Sequence, residues 1–162
     1  MDLQDYTKAV DVYADSVYRV AYSYTYTKVD SEDVLQNVFL KLFQTKQNFD
    51  SEEHLRRWLL RVTVNECHNL HRSFWKRKTQ LMEMENPEKS SLPEEKIDLQ
   101  DALQKLPAEY RVIIHMYYYE GYKTKEISEI LQIKEATVRT RLARGRERLR
   151  ELLKEEWAYE TE

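Results

Sequence analysis

Apolar and polar positions follow the 3.6-residue period of helices along almost the whole chain. Tyr6, Val10, Tyr13, Val17, Val20 and Tyr24 recur every three or four residues, which puts them on one face of a first helix. "DSED" at 30–33 predicts the start of a second, with a capping oxygen and acids in its first turn. Val34, Leu35, Val38, Phe39, Leu42 and Phe43 mark that helix, and Ser51 predicts the cap of a third, continued by Leu55, Leu59, Thr63, Cys67, Leu70 and Phe74. A polar stretch intervenes before apolar positions return over 97–106. A further helix is predicted from near Pro107, which suits a first turn because the missing N–H has no partner there. Two shorter patterns follow at 124–131 and 135–154. "VIIHMYYY" is locally β-prone but fits a helix in this setting, so no strand is predicted.

The polar stretch "EMENPEKSSLPEEK" (83–96) has two prolines, two serines and almost no apolar residue, the composition of a linker. The predicted fold is therefore all-α, with two small helical domains joined by a flexible acidic linker and the second ending in a helix-turn-helix. The expected boundaries are a first domain at 1–80, a linker at 81–98, a second domain at 99–156 and an acidic tail at 157–162. A chain of 162 residues with 2 Gly and 3 Pro fits two small helical units, each with a modest core.

The net charge of −3 conceals an alternation. Residues 1–54 carry net −5, 55–81 net +6, 82–101 net −5, 134–154 net +5 and 155–162 net −4. Two basic blocks can each grip a polyanion while the acidic parts face something else. The single cysteine excludes an intrachain disulfide. The N-terminus "MDLQDYTKAV" lacks the apolar core of a signal peptide, and every apolar run is too short to span a bilayer. The expectation is a cytoplasmic protein without membrane insertion.

In "EISEILQIKEATVRTRL" (126–142), Ile127, Ile130 and Leu131 form one apolar face, Ile133 follows the turn, and Val138 and Leu142 form the inner face of the next helix. Two crossing short helices need inward residues at these positions. Small Ser128 stands where the helices approach most closely. Glu135, Arg139, Thr140, Ala143 and Arg144 point outward, where arginines can meet base edges or phosphates.

"LQKLPAEYRVIIHMYYYEGYKTKEISEILQIKEATVRTRLARGRERLR" resembles region four of the sigma-70 family of bacterial RNA polymerase initiation factors. The cues are "LPAEYRVII", "YYEGYKTKEISEIL" and "TVRTRLARGRERLR". The resemblance implies contact with the duplex −35 promoter element through Lys134, Glu135, Thr137, Arg139, Thr140, Arg141, Ala143 and Arg144. The sequence departs from the family where Gln132 replaces a usual Gly, and where Lys123 and Lys134 replace usual Ser caps. Thr124 is expected to cap in place of Lys123. A non-Gly residue at positive φ and a lost cap each cost about 1 kcal/mol. A phosphate beside Lys134 is the expected return.

"DSEDVLQNVFLKLFQ" (30–44) resembles the polymerase-binding helix of sigma region two, which implies that Glu32, Asp33, Gln36, Asn37 and Phe39 contact core polymerase. Asn37 stands where the family commonly has Glu. "NFDSEEHLRRWLLRVTVNECHNLHRSFWKRK" (48–78) resembles the part of region two that opens and reads the −10 element. It implies contacts from Phe49, Arg56, Arg57, Trp58, Arg61, Asn65, Asn69 and Arg72. Lys76, Arg77 and Lys78 extend the basic track, and Asn69 stands where Asp is common. Unstacked bases need aromatic or shaped pockets beside such a track. Core packing is an equally open role for Trp58.

"ECHNLH" (66–71) places Cys67 and His71 one turn apart, but no second Cys/His cluster completes a tetrahedral site. No metal and no cofactor is expected. No phosphate loop, nucleophile elbow or triad is visible, so no enzyme is expected. The two resemblances occur in the family's order with only a short linker between them. Together they imply the compact extracytoplasmic-function (ECF) group. Its members bind core RNA polymerase, double-stranded −35 DNA and single-stranded −10 DNA, and an anti-sigma factor is a further expected partner. The chain is expected to be a monomer when free. Two alternatives stay open: a stand-alone helix-turn-helix regulator, and a sigma-like adaptor that binds only proteins.

Overall fold

The computed structural model describes residues 1–81 and 98–160, with side chains through Ser73 in the first span and through Lys154 in the second. The predicted linker at 83–96 lies outside the described residues, as do the side chains of Lys76, Arg77 and Lys78. Among the described residues there are seven helices and no strand: α1 (Leu3–Thr25), α2 (Lys28–Gln44), α3 (Glu52–Leu81), α4 (Leu99–Gln104), α5 (Ala108–Tyr118), α6 (Thr124–Leu131) and α7 (Glu135–Glu160). Among these residues no helix is long and apolar enough to cross a membrane.

Asp2 caps α1 by accepting from Asp5 N at 2.7 Å. The helix ends at Tyr26, whose φ of 57° turns the chain sharply. Thr27 then caps α2, accepting from Asp30 N at 3.2 Å. The helix thus starts before "DSED", contrary to expectation. Ser31 is buried, and its Oγ donates to the Thr27 carbonyl at 2.6 Å. A side chain that looked like a start signal therefore ties down the corner from inside. Ser51 does cap α3, accepting from His54 N at 3.0 Å.

Asp98 and Asp101 form a reciprocal capping box on α4. Pro107 precedes α5 as its cap residue, with ψ 141°, and does not occupy the first turn as predicted. The extended ψ is what lets the chain change direction before the helix begins. α7 continues through Glu160, so the expected tail at 157–162 is helical up to that point.

α1 packs on α2 and α3 and also on α5. Val17, Val20 and Ala21 are fully buried there. Val34, Val38, Leu42, Leu59 and Cys67 complete the core of the first three helices. Ile113, Met116, Ile127, Ile130, Val138 and Leu142 form that of the last four. Each fully buried aliphatic side chain contributes about 1.5–3 kcal/mol. The two groups of helices share one continuous hydrophobic cluster. Gly145 of α7 packs against α5, where an added Cβ would lie 2.7 Å from Ile114 Cδ1.

Candidate nucleic-acid interface

The helix-turn-helix is built from α6 and α7. Gln132 takes φ 55°, the left-handed conformation that its usual Gly would adopt freely. Its N–H and that of Ile133 both reach the Ser128 carbonyl. Ser128 Oγ returns a 2.6 Å bond to the Ile133 carbonyl. The small residue thus staples the turn as well as permitting close approach. Thr124 does not cap α6. It is the first helical residue, and its hydroxyl donates to Glu135 Oε1 at 3.3 Å. Glu126 instead accepts from Lys123 N at 3.1 Å, so a carboxylate one turn in does the capping.

Lys134, Arg139, Thr140, Ala143 and Arg144 are exposed, while Glu135, Thr137 and Arg141 are half-buried. Glu135 is engaged by Arg139 at 3.2 Å as well as by Thr124. Thr137, Thr140, Arg141 and Arg144 line an open hollow of about 410 Å³ with Glu109 and Tyr110 of α5. Glu109 pairs with Arg141 at 3.5 Å. Sequence reasoning missed both α5 residues; their place in the first turn after Pro107 was the available signal.

On α3 the spacing of Arg57, Arg61, Asn65, Asn69 and Arg72 puts them along one side of the helix. Asn65, Asn69 and Arg72 are exposed. Trp58 is buried at 9% exposure, its ring edge-on to Phe49 with centroids 5.4 Å apart. Phe49 belongs to the loop between α2 and α3, pinned by Asp50 N donating to His54 Nδ1 and by Tyr13 OH donating to the Glu52 carbonyl. This loop and α1 wall an open hollow of about 390 Å³, lined in part by Tyr13, Asn48, Phe49 and Leu55.

Arg56 and Arg57 are half-buried, and both are engaged by carboxylates. Arg56 pairs with Glu120 at 2.9 Å, and Arg57 with Glu53, Glu126 and Glu129 at 3.1, 2.7 and 3.4 Å. Glu120 has a side chain only 2% exposed, and receives Arg19 and His115 as well. Burial alone would raise its carboxyl pKa, but hydrogen bonds from His115 and Arg56 and the charges of His115 and Arg19 hold it below its ordinary value.

On α2, Glu32, Asp33, Gln36 and Asn37 are exposed, whereas Phe39 is buried in the core. The outward apolar residues of that helix are Val29, Leu40 and Phe43. A second groove, of about 570 Å³, is lined by Leu99, Leu103, Ile114, Tyr118 and Leu149 and rimmed by Arg146 and Arg150. The residues of "ECHNLH" have other occupations. Glu66 pairs with Lys41, the His68 and His71 rings pack edge-on to Tyr24, and burial pushes the Cys67 thiol up to about 12. Among the described residues no three His, Cys, Asp or Glu side chains gather as metal ligands.

Residues 9–77 match the family description "Sigma-70 region 2", and residues 96–149 match "Sigma-70, region 4". The RNA polymerase sigma factor SigV of Bacillus subtilis is 31% identical, over 86% of this chain and 86% of its own length. The chain belongs to the sigma-70 family. The ECF RNA polymerase sigma factor SigE of Mycolicibacterium smegmatis is likewise 31% identical over 93% of this chain, which spans 62% of SigE's length. The sigma factor RpoE of Bartonella quintana, solved in complex with the anti-sigma factor NepR, superposes with a TM-score of 0.71 at 22% identity, covering 94% of this chain and 98% of that one. The region-two match spans most of α1 to α3, and the region-four match takes in α4 to α6 and much of α7. The two basic blocks of this sigma factor thus fall in different regions, one on α3 and one on α7.

Proposed function

We propose that this chain is an ECF-type sigma factor that binds core RNA polymerase and directs it to promoters. The start of α7 reads the −35 element as duplex. Lys134, Arg139, Thr140, Ala143 and Arg144 reach the groove, and Glu109 orients Arg141 beside the hollow they share. α3 and the Phe49 loop take the −10 element as a single strand, with Arg56, Arg57, Arg61 and Arg72 along its backbone. The Phe49 hollow receives an unstacked base, and Trp58 supports Phe49 from the core. Asn65 and Asn69 face the strand. Polymerase docks on α2 through Glu32, Asp33, Gln36 and Asn37, with Leu40 and Phe43 supplying the apolar contact that buried Phe39 cannot. The apolar groove beside α4 offers polymerase a second hold. The domains divide across residues 81–98. The protein performs no covalent step of its own and acts in the cytoplasm as a monomer until polymerase or an anti-sigma factor binds it.

The observation that carries this reading is the presence, on two separate helix groups, of two unlike basic surfaces. One is a helix-turn-helix suited to duplex. The other is a basic helix beside an aromatic hollow, suited to unstacked strands. The test is transcription in vitro from a genomic promoter pool, using purified core polymerase with and without the protein. Discrete start sites that depend on the protein are expected. Duplex binding without any dependent transcript would favour the stand-alone regulator instead.

A further inference from the structure

Phe49 is held between two rings of one helix. His54 and Trp58 stand four residues apart on α3, so they share a face. The Phe49 ring meets both edge-on, with its centroid 5.3 Å from that of His54 and 5.4 Å from that of Trp58. Trp58 is the buried member of the pair, while the His54 side chain stays 38% exposed.

His54 also holds the chain on either side of Phe49. It is the third residue of α3, and its own N–H donates to the capping Ser51 Oγ. Its Nδ1 accepts from the N–H of Asp50, the residue after Phe49, at 3.1 Å. The ring proton therefore sits on Nε2. That nitrogen donates toward the Gln47 side-chain amide, 3.5 Å away, when the amide presents its oxygen. Gln47 N in turn donates to Thr45 Oγ1 at 3.2 Å. The Asp50 carboxylate stands farther off, 3.8 Å from Nδ1, and is 95% exposed, so the backbone bond is the one that orders the loop. Gln47, Asn48, Phe49 and Ser51 line the hollow, and His54 stands behind them. It acts on the hollow only through the loop.

A helix start commonly solves this problem with a carboxylate, as in a capping box with Glu three residues after Ser. "SEEH" puts an imidazole at that position. Asp50, Glu52 and Glu53 already make the turn acidic, and every added carboxylate there repels the phosphates of an approaching strand. A neutral imidazole supplies the acceptor without a further negative charge.

We propose that His54 is the positioning residue of the −10 site: as a neutral acceptor it fixes the loop that carries Phe49 in the shape that receives the unstacked base. This rests on the reading of the Phe49 hollow as the seat of that base. A loop already in its bound shape loses no affinity to ordering when the base arrives.

The test uses holoenzyme, assembled from core polymerase and the full chain, on a promoter fragment whose start site depends on the protein. Strand opening is read from the permanganate reactivity of thymines that become unpaired around the −10 element. The variants are H54A, H54N, H54E and F49A. Asn places a neutral oxygen where Nδ1 stands, and Glu restores the common capping box. H54A is expected to lower the extent of opening about tenfold, as for a loop that holds the receiving shape about one tenth of the time. H54N should recover most of that loss. H54E should recover the melting temperature of the parent but not its opening. Affinity for −35 duplex should be the same in all four.

Parental opening by H54A would overturn the positioning role. So would H54N opening no better than H54A, or H54E opening as well as the parent. If H54A does not fold, H54N against H54E carries the test, because both keep a capping oxygen and only one keeps the site neutral. F49A separates the two ideas. Impaired opening in F49A with parental opening in H54A removes the role of His54 alone. Parental opening in F49A removes the base-capture reading and the role of His54 with it, as does a protein that yields no dependent start site.

Discussion

Arg111 Nη2 donates a 2.6 Å hydrogen bond to the carbonyl of Tyr24, across 87 residues of sequence. The same guanidinium reaches the Ser23 carbonyl at 2.9 Å and the Leu106 carbonyl at 2.6 Å, and lies 5.0 Å from the centroid of the Tyr26 ring. One side chain from region four therefore satisfies carbonyls at the C-terminus of α1, which would otherwise lack partners.

Arg111→Lys keeps the charge but cannot reach the four carbonyls that the guanidinium serves, those of Ser23, Tyr24, Gln104 and Leu106. It is expected to cost about 2 kcal/mol, measured by urea denaturation. A loss within error of zero would mean that water replaces the guanidinium without penalty.

Lys134 immediately precedes α7, and its carbonyl accepts from Val138 N at 3.1 Å. Lys134→Ser supplies a capping oxygen and should raise stability by about 1 kcal/mol. It should also weaken −35 duplex binding and lower the salt slope by about 1, as expected when one phosphate contact is lost. Equal binding of the two proteins at low salt would leave Lys134 without a phosphate.

Gly145→Ala improves helix propensity by about 1 kcal/mol but drives a methyl into Ile114 Cδ1. Ile114→Val removes that carbon. The double variant is therefore expected to be more stable than the two single effects added together, by at least about 0.5 kcal/mol. Strict additivity in thermal melts would show that Ile114 rotates away at no cost.

Burial pushes the His68 imidazole below its ordinary value of 6.5; Glu109 opposes this, while Arg72, Arg141 and His71 reinforce it. The unfolded chain then takes up the proton at a higher pH than the folded chain. Stability should be complete above about pH 6.5 and decline as pH falls below it. His68→Gln should flatten that decline in urea midpoints followed from about pH 7.5 to 5.5. An unchanged slope would assign it to another group.

The helical period alone revealed the all-α fold, and "EISEILQIKEATVRTRL" revealed the helix-turn-helix, because both depend on local spacing. Capping was less legible. Ser31 and Thr124 resemble start signals, but Ser31 bonds back to the Thr27 carbonyl one turn earlier and Thr124 reaches Glu135 on the next helix. Phe39 and Phe43 both fit the α2 period, and only the reach of α1 and α3 decides that one is buried and the other exposed. Glu120 gave no warning at all. A carboxylate between Tyr119 and Gly121 carries no periodic signal, and its partners Arg19 and Arg56 come from distant parts of the chain.

Cys67 is 1% exposed, and its thiol is raised to about 12. Maleimides react with thiolate, which is scarce at such a site near neutral pH. The natural protein is therefore a silent background for spectroscopic labels. Paired cysteines at exposed positions such as Lys8 and Lys125 can carry two dyes without removal of Cys67, so that the distance between region two and region four can be read in solution.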